Sequence, residues 1–212
     1  MLEITEDKKE SLGFSEIYFQ FFFMLNKWNY LAFQLADEAF IDQGRQLIFN
    51  ADMSLKESVE IAKMPERCMR PTIVKIRRNG EHQLVFVGGF ENRNCLLYQP
   101  RVNTEEPDKW SFISKIPEGH NITTTVSCNY DDKAIFTFMT DAQLNFKSSV
   151  MDLSKLDPKD NAADNTQEMY FALKVLQTAH KLDRFHFKCA VAFPAKKQIC
   201  VMCRGRIDGM RE

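Results

Sequence analysis

The stretch Leu84-Val85-Phe86-Val87-Gly88-Gly89-Phe90 constrains the fold more than any other part of this chain. A short apolar run of β-branched and aromatic residues, closed by glycine, reads as a buried strand. The glycine pair gives the backbone conformations that let such a strand end against neighbouring main chain. Upstream, Pro71-Thr72-Ile73-Val74-Lys75-Ile76 is a second β-branched stretch, and Arg77-Arg78-Asn79-Gly80-Glu81-His82 turns the chain between the two. An Asn-Gly step between apolar runs is a strong hairpin signal. Cys95-Leu96-Leu97-Tyr98 and Trp110-Ser111-Phe112-Ile113-Ser114-Lys115-Ile116-Pro117 follow across a polar loop, which makes four short strands in meander order.

One such unit cannot bury both of its faces, and the pattern recurs. Thr123 to Cys128, the turn Asn129-Tyr130-Asp131-Asp132-Lys133, Ala134 to Met139 and Ser149 to Leu153 form a second pass. A third begins at Leu173 to Leu176 and continues through Phe187 to Ala192, the turn Pro194-Ala195-Lys196-Lys197 and Gln198 to Met202. With Val85, Ile135 and Ile199 as equivalent inner positions, the steps are 50 and 64 residues.

These residues resemble the Kelch-repeat β-propeller family. The resemblance rests on the apolar strand into Gly88-Gly89, on Tyr98 and Trp110 at the family's aromatic positions, and on Met64 to Arg67 and Ile116-Pro117 as linkers between blades. It covers Met64 to Gly205. Phe138-Met139-Thr140 and Met202-Cys203-Arg204 stand where the family has its glycine pair, and Tyr170-Phe171 stands where it has a tryptophan. The resemblance implies an all-β, partial propeller of three to four blade-like units that binds other proteins. A charged tail (1–12) and an aromatic-rich segment (13–63) precede the repeats (64–212), of which the last is incomplete. Propellers close with about 4–8 blades, so a chain with fewer is expected to self-associate or to be completed by a partner.

In the N-terminal segment, Ile17 to Leu25 is the most apolar stretch, and Asn26-Lys27 ends it well short of the ~20 residues of a membrane span. A helix with Ile17, Phe21, Met24, Leu25 and Trp28 on one face fits, as does a pair of strands hinged at Asn26-Lys27. The aromatic density, and the echo of Asp108-Lys109-Trp110 in Asn26-Lys27-Trp28, favour strands. Gln46 to Asn50 then reads as a further inner strand and Leu55 to Ala62 as an outer one, although Ile48 lies only 37 residues before Val85. Phe21 and Phe23 are the candidate cover or docking surface of this segment.

Charge is nearly balanced, with 28 basic and 29 acidic residues, which gives no basic block for a nucleic-acid backbone. Six irregularly spaced cysteines and a mixed-charge start without the basic-then-apolar order of a signal peptide point to reduced thiols and a cytoplasmic location. The sharpest constellation is His186, Cys189, Cys200 and Cys203, whose H-x-x-C and C-x-x-C spacing could hold one zinc ion in a zinc-stabilised binding domain. Against it, Phe187-Lys188 and Val201-Met202 are strand-like, and residues three apart on a strand point to opposite faces. Gly88-Gly89 lacks the lysine and hydroxyl residue of a phosphate loop, and no nucleophile elbow or catalytic carboxylate pair stands out. Asp131-Asp132 and Asp157 to Asp160 read as solvated turns. Neither enzymatic activity nor a cofactor is expected from these residues; the alternative that the resemblance implies, an enzyme on a Kelch-type propeller, has no copper ligand set or buried acid pair here to carry it. The candidate contact residues are Arg67, Arg70, Glu91, Asn92 and Arg93, in loops at the strand ends where arginine can meet acidic groups.

Overall fold

The computed structural model describes residues 19–36, 40–90, 92–101, 107–117, 124–140, 146–165, 168–171 and 186–204. These residues are all-β: four antiparallel sheets, short 3-10 turns and no α-helix. The chain divides into two compact units, Met1–Arg67 and Cys68–Glu212.

In the first unit β1 (Phe19–Asn26), β2 (Asn29–Ala36), β3 (Phe40–Phe49) and β4 (Leu55–Glu60) follow one another as an antiparallel meander. The aromatic stretch is therefore a hairpin. It turns at Lys27-Trp28, where the Trp28 amide donates to Asn26 Oδ1 at 3.0 Å. Ala32 and Leu47 form the unit's buried centre, flanked by Tyr30, Phe49 and Leu55. The Tyr30 and Phe49 rings meet edge-on at 5.5 Å.

The second unit starts with the short β5 (Cys68–Met69) and then repeats the meander. Its first sheet is β6 (Thr72–Arg78), β7 (Glu81–Gly89), β8 (Asn92–Gln99) and β9 (Lys109–Lys115); its second is β10 (Thr124–Tyr130), β11 (Ala134–Thr140), β12 (Phe146–Asp152) and β13 (Tyr170–Phe171). The hairpin of β14 (His186–Phe193) and β15 (Gln198–Arg204) closes the series. Leu173 to Leu176, expected to open this last pass, lie outside the described residues, as do Gly119 and His120.

The first three meanders recur at a nearly constant interval, and the last hairpin follows after a longer one. Their first strands begin at Phe19, Thr72, Thr124 and His186, steps of 53, 52 and 62 residues, and their second strands at Asn29, Glu81, Ala134 and Gln198, steps of 52, 53 and 64. The counterpart of Val85 in the first meander is accordingly Phe33, the fifth residue of β2, and not Ile48. Ile48 lies on the third strand. The 37-residue gap therefore separates a third strand from a second.

Successive sheets of the second unit meet along their first strands. Thr72 Oγ1 lies 2.9 Å from the Thr125 carbonyl and 3.0 Å from Thr125 Oγ1. Asn129 Nδ2 donates to the Lys75 carbonyl at 3.0 Å, and the Arg77 amide donates to Asp132 Oδ1 at 2.8 Å. The contacts advance together along both strands, so β6 and β10 run parallel, side by side. Asp132, expected as a solvated turn residue, is a fastening point of this seam; it adopts φ 51° while the Asn129 carboxamide accepts its amide. β10 also lies along β14. Behind the seam one core spans both sheets, including Val74, Val85, Val87, Leu97, Ile113, Ile135, Met151 and Met169. β7 is buried on both faces, since Leu84 and Phe86 opposite this core are also fully covered.

Candidate functional site

The end of β7 is built by its glycines. Gly88 has φ +55° and Gly89 φ +145°, regions that side chains other than hydrogen enter at a cost. A Cβ on Gly88 would sit 2.5 Å from Ile116 Cδ1, and one on Gly89 would sit 2.7 Å from the Met69 carbonyl oxygen. That close approach lets the Phe90 amide donate to the same oxygen at 2.8 Å, which joins the end of β7 to β5. Arg70 follows immediately, exposed and at φ +51°. Phe90, whose amide meets the carbonyl that precedes Arg70, is 42% exposed although it is a large aromatic side chain.

Asn92 and Arg93 turn inward from this corner. The Asn92 carboxamide donates to Cys68 Sγ at 3.8 Å, and its Oδ1 accepts the Asn94 amide at 2.7 Å. Arg93 Nε donates to the Ile116 carbonyl at 2.7 Å, the Ile116 amide donates back to the Arg93 carbonyl at 2.8 Å, and the far end of the guanidinium pairs with Glu168 at 2.7 Å. With both side chains partly exposed, this ion pair adds about 0–1 kcal/mol. Its larger effect is to tie the β9 terminus to the strap between β12 and β13. Along that strap, Phe112 and Lys159 exchange amide hydrogen bonds at 2.7 Å and the Met169 amide donates to the Lys115 carbonyl at 2.8 Å, so the outer edge of β9 is covered.

The expected contact residues therefore divide. Arg70 is exposed at the corner next to Phe90, while Asn92 and Arg93 are engaged in holding it together. Arg67 is exposed at the end of the first unit, and Glu91 lies outside the described residues. Phe23 is half-buried with its ring 6.2 Å from that of the fully buried Phe33, which gives it a packing role in its own unit. Phe21 pairs with Phe33 through its backbone, and its side chain lies outside the described set. Tyr98 and Trp110 are core residues: their rings are 4.7 Å apart, Trp110 meets Phe86 at 5.0 Å, and the Tyr98 hydroxyl donates to Asp108 at 2.9 Å. In the sequence Phe90 looks like a continuation of the apolar run of β7; the kink at Gly88-Gly89, which ends the strand, leaves it exposed.

Cys189 and Cys200 are exposed, and Cys200 and Cys203 both fall inside β15 with no turn between them. The side chains of His186 and Cys203 lie outside the described residues, among which no group of three or more histidines, cysteines and acids comes together. Cys68, Cys95 and Cys128 are buried; burial pushes the Cys95 thiol up to about 12 and the Cys128 thiol up to about 11. Cys189 and Cys200 are expected to react with a maleimide at neutral pH while these three react only on unfolding. Because the two raised values favour the protonated thiol in the folded chain, the stability they contribute is intact below pH ~9 and falls as pH rises towards 12. Alkaline denaturation midpoints measured from pH 8 to 11 check the sign, and a midpoint that rises over this range refutes it.

No family model, curated protein or solved structure matches this chain. No helix among the described residues is long and apolar enough to cross a membrane.

Proposed function

We propose that this chain is a series of Kelch-like propeller blades that binds another protein through its strand-end corners and catalyses no reaction. The recurrence of the first three meanders at 52 to 53 residues, with the last hairpin 62 to 64 residues on, and the parallel contact of β6 with β10 support the blade reading, since blades of a propeller set their first strands side by side in one direction. The observation that carries the binding role is Phe90, an exposed aromatic side chain on a glycine-locked corner, its amide bound to the carbonyl that precedes Arg70. Aromatic and arginine side chains on rigid backbone are the groups that dominate protein–protein contacts.

The test replaces Phe90 by Ser and Arg70 by Gly, the latter suited to its positive φ. A photo-crosslinking residue at position 90 in native extract should capture a discrete partner, and pull-down with the double variant should fail to recover the partner that wild type recovers, with its melting temperature unchanged. A partner set identical in wild type and variant overturns the proposal.

A further inference from the structure

Among the described residues, three of the exposed large apolar side chains, Val191, Phe193 and Met202, lie on the hairpin β14–β15. Its inner face, Ala190, Ala192, Ile199 and Val201, packs on Val126, Cys128 and Phe138. Its outer face sets Cys189 opposite Met202, Val191 opposite Cys200 and Phe193 opposite Gln198. Met202 is 61% exposed, Val191 48% and Phe193 46%. Among the described residues, β15 pairs only with β14, so the row of amides and carbonyls along its other side has no strand against it. The outer edge of β9, in contrast, is closed by the strap through Lys159 and Met169. No proline interrupts β15, and its one register irregularity lies on the β14 side, between Phe187 and Cys189. Among the described residues, neither a proline nor a bulge on β15 itself blunts this edge.

Charge selects the occupant. From His186 to Arg204 the hairpin carries Lys188, Lys196, Lys197 and Arg204 and not one acidic residue, in a chain whose net charge is only −1. Lys196 and Lys197 are exposed in the turn that leads into β15, with no ion pair among the described residues. Two copies joined edge to edge would bring two acid-free basic hairpins together, which disfavours self-pairing.

We infer that β15 accepts an extended acidic segment of a protein partner as an added antiparallel strand, with apolar residues at alternate positions beside Cys200 and Met202. Strand addition satisfies the open backbone groups, and alternate side chains lie on the apolar outer face. An antiparallel strand runs from beside Arg204 towards Gln198, so its C-terminal end arrives at Lys196-Lys197. The acidic residues therefore belong after the alternating apolar ones. This site is separate from the Phe90 corner, and either can fail alone.

The probe is a fluorescein-labelled peptide, Thr-Val-Thr-Val-Thr-Glu-Glu, compared with the same peptide ending in Lys-Lys. Fluorescence anisotropy should show the glutamate peptide binding about tenfold or more tightly than the lysine one, and K196Q/K197N should weaken it about three- to tenfold. Met202→Lys, at a side chain already mostly in water, should abolish binding without lowering the melting temperature. Hydrogen exchange should slow at the amides of Gln198 to Arg204 when the glutamate peptide is present, which charge attraction alone would not produce. No binding, equal binding of the two peptides, or unchanged exchange along β15 overturns the inference. So does a concentration-dependent dimer, lost in Met202→Lys, that ignores the peptide, because the occupant is then a second copy.

Discussion

Gly89→Val should abolish the fold of the second unit or lower its stability by at least about 3 kcal/mol. Two effects add. A β-branched residue at φ +145° costs about 1–3 kcal/mol in backbone strain alone. Its Cβ would also stand 2.7 Å from the Met69 carbonyl oxygen, and that atom is main chain already engaged by the Phe90 amide. Relief requires opening the contact between β5 and the end of β7. Gly88→Val should be milder, since the atom nearest its Cβ is the tip of the Ile116 side chain and the Asn92 carbonyl oxygen stands farther off, at 3.1 Å. Gly80 provides the control: φ is +84° with nothing within 4 Å, and asparagine tolerates positive φ, so Gly80→Asn should stay within about 0.5 kcal/mol of wild type. Urea denaturation of the three variants gives the order directly. Equal midpoints for Gly89→Val and Gly80→Asn would show that the backbone contact at Met69 is not a constraint.

Trp110→Ala should cost about 3–5 kcal/mol, the usual range for truncating a buried large aromatic side chain. The indole is 9% exposed and lies against Phe86 and Tyr98 at 5.0 and 4.7 Å, so its loss leaves a cavity lined by rings that the sheet backbone holds in place. Tyr98→Phe should cost less, about 1–2 kcal/mol: it keeps the ring and removes only the hydroxyl that Asp108 accepts. Burial and the Asp108 carboxylate hold the Tyr98 hydroxyl far above the ordinary tyrosine range, so it remains a donor at any pH where the chain is folded. Thermal melts of both variants separate packing from hydrogen bonding. A Trp110→Ala loss below that of Tyr98→Phe would contradict a core position for the indole.

The sheet β6–β9 was legible in the sequence because its boundaries are chemically marked: Asn79-Gly80 makes the hairpin, and Gly88-Gly89 ends the inner strand. The hairpin of β1 and β2 was legible from aromatic density, but not its place in the repeat, because β2 ends without a glycine pair and nothing in the residues distinguishes it from β3. The seam between β6 and β10 was hidden for another reason. Thr72, Asn129 and Asp132 carry it, and polar residues at strand edges and turns look the same whether they meet water or a neighbouring sheet. Phe90 and the outer face of β14–β15 were concealed by the opposite difficulty. In Cys189-Ala190-Val191-Ala192-Phe193 both alternating sets are apolar, so periodicity cannot say which one is covered. Arg93 shows the limit for charge: arginine in a loop reads as available, whereas here its guanidinium closes a carbonyl at Ile116.

The side-chain seam between β6 and β10 also bears on how the second unit folds. Each meander makes its ladder from strands that are neighbours in sequence, so its contacts are local and can form early with little loop-closure entropy. Thr72 and Thr125, or Arg77 and Asp132, are more than fifty residues apart, and they come together only once two such sheets exist. The shared core from Val74 to Met169 then makes the docked pair far more stable than either sheet by itself. Folding should therefore proceed as rapid, reversible assembly of individual hairpins followed by one slower docking event, with amide protection appearing within sheets before the Thr72 to Asp132 contacts are made.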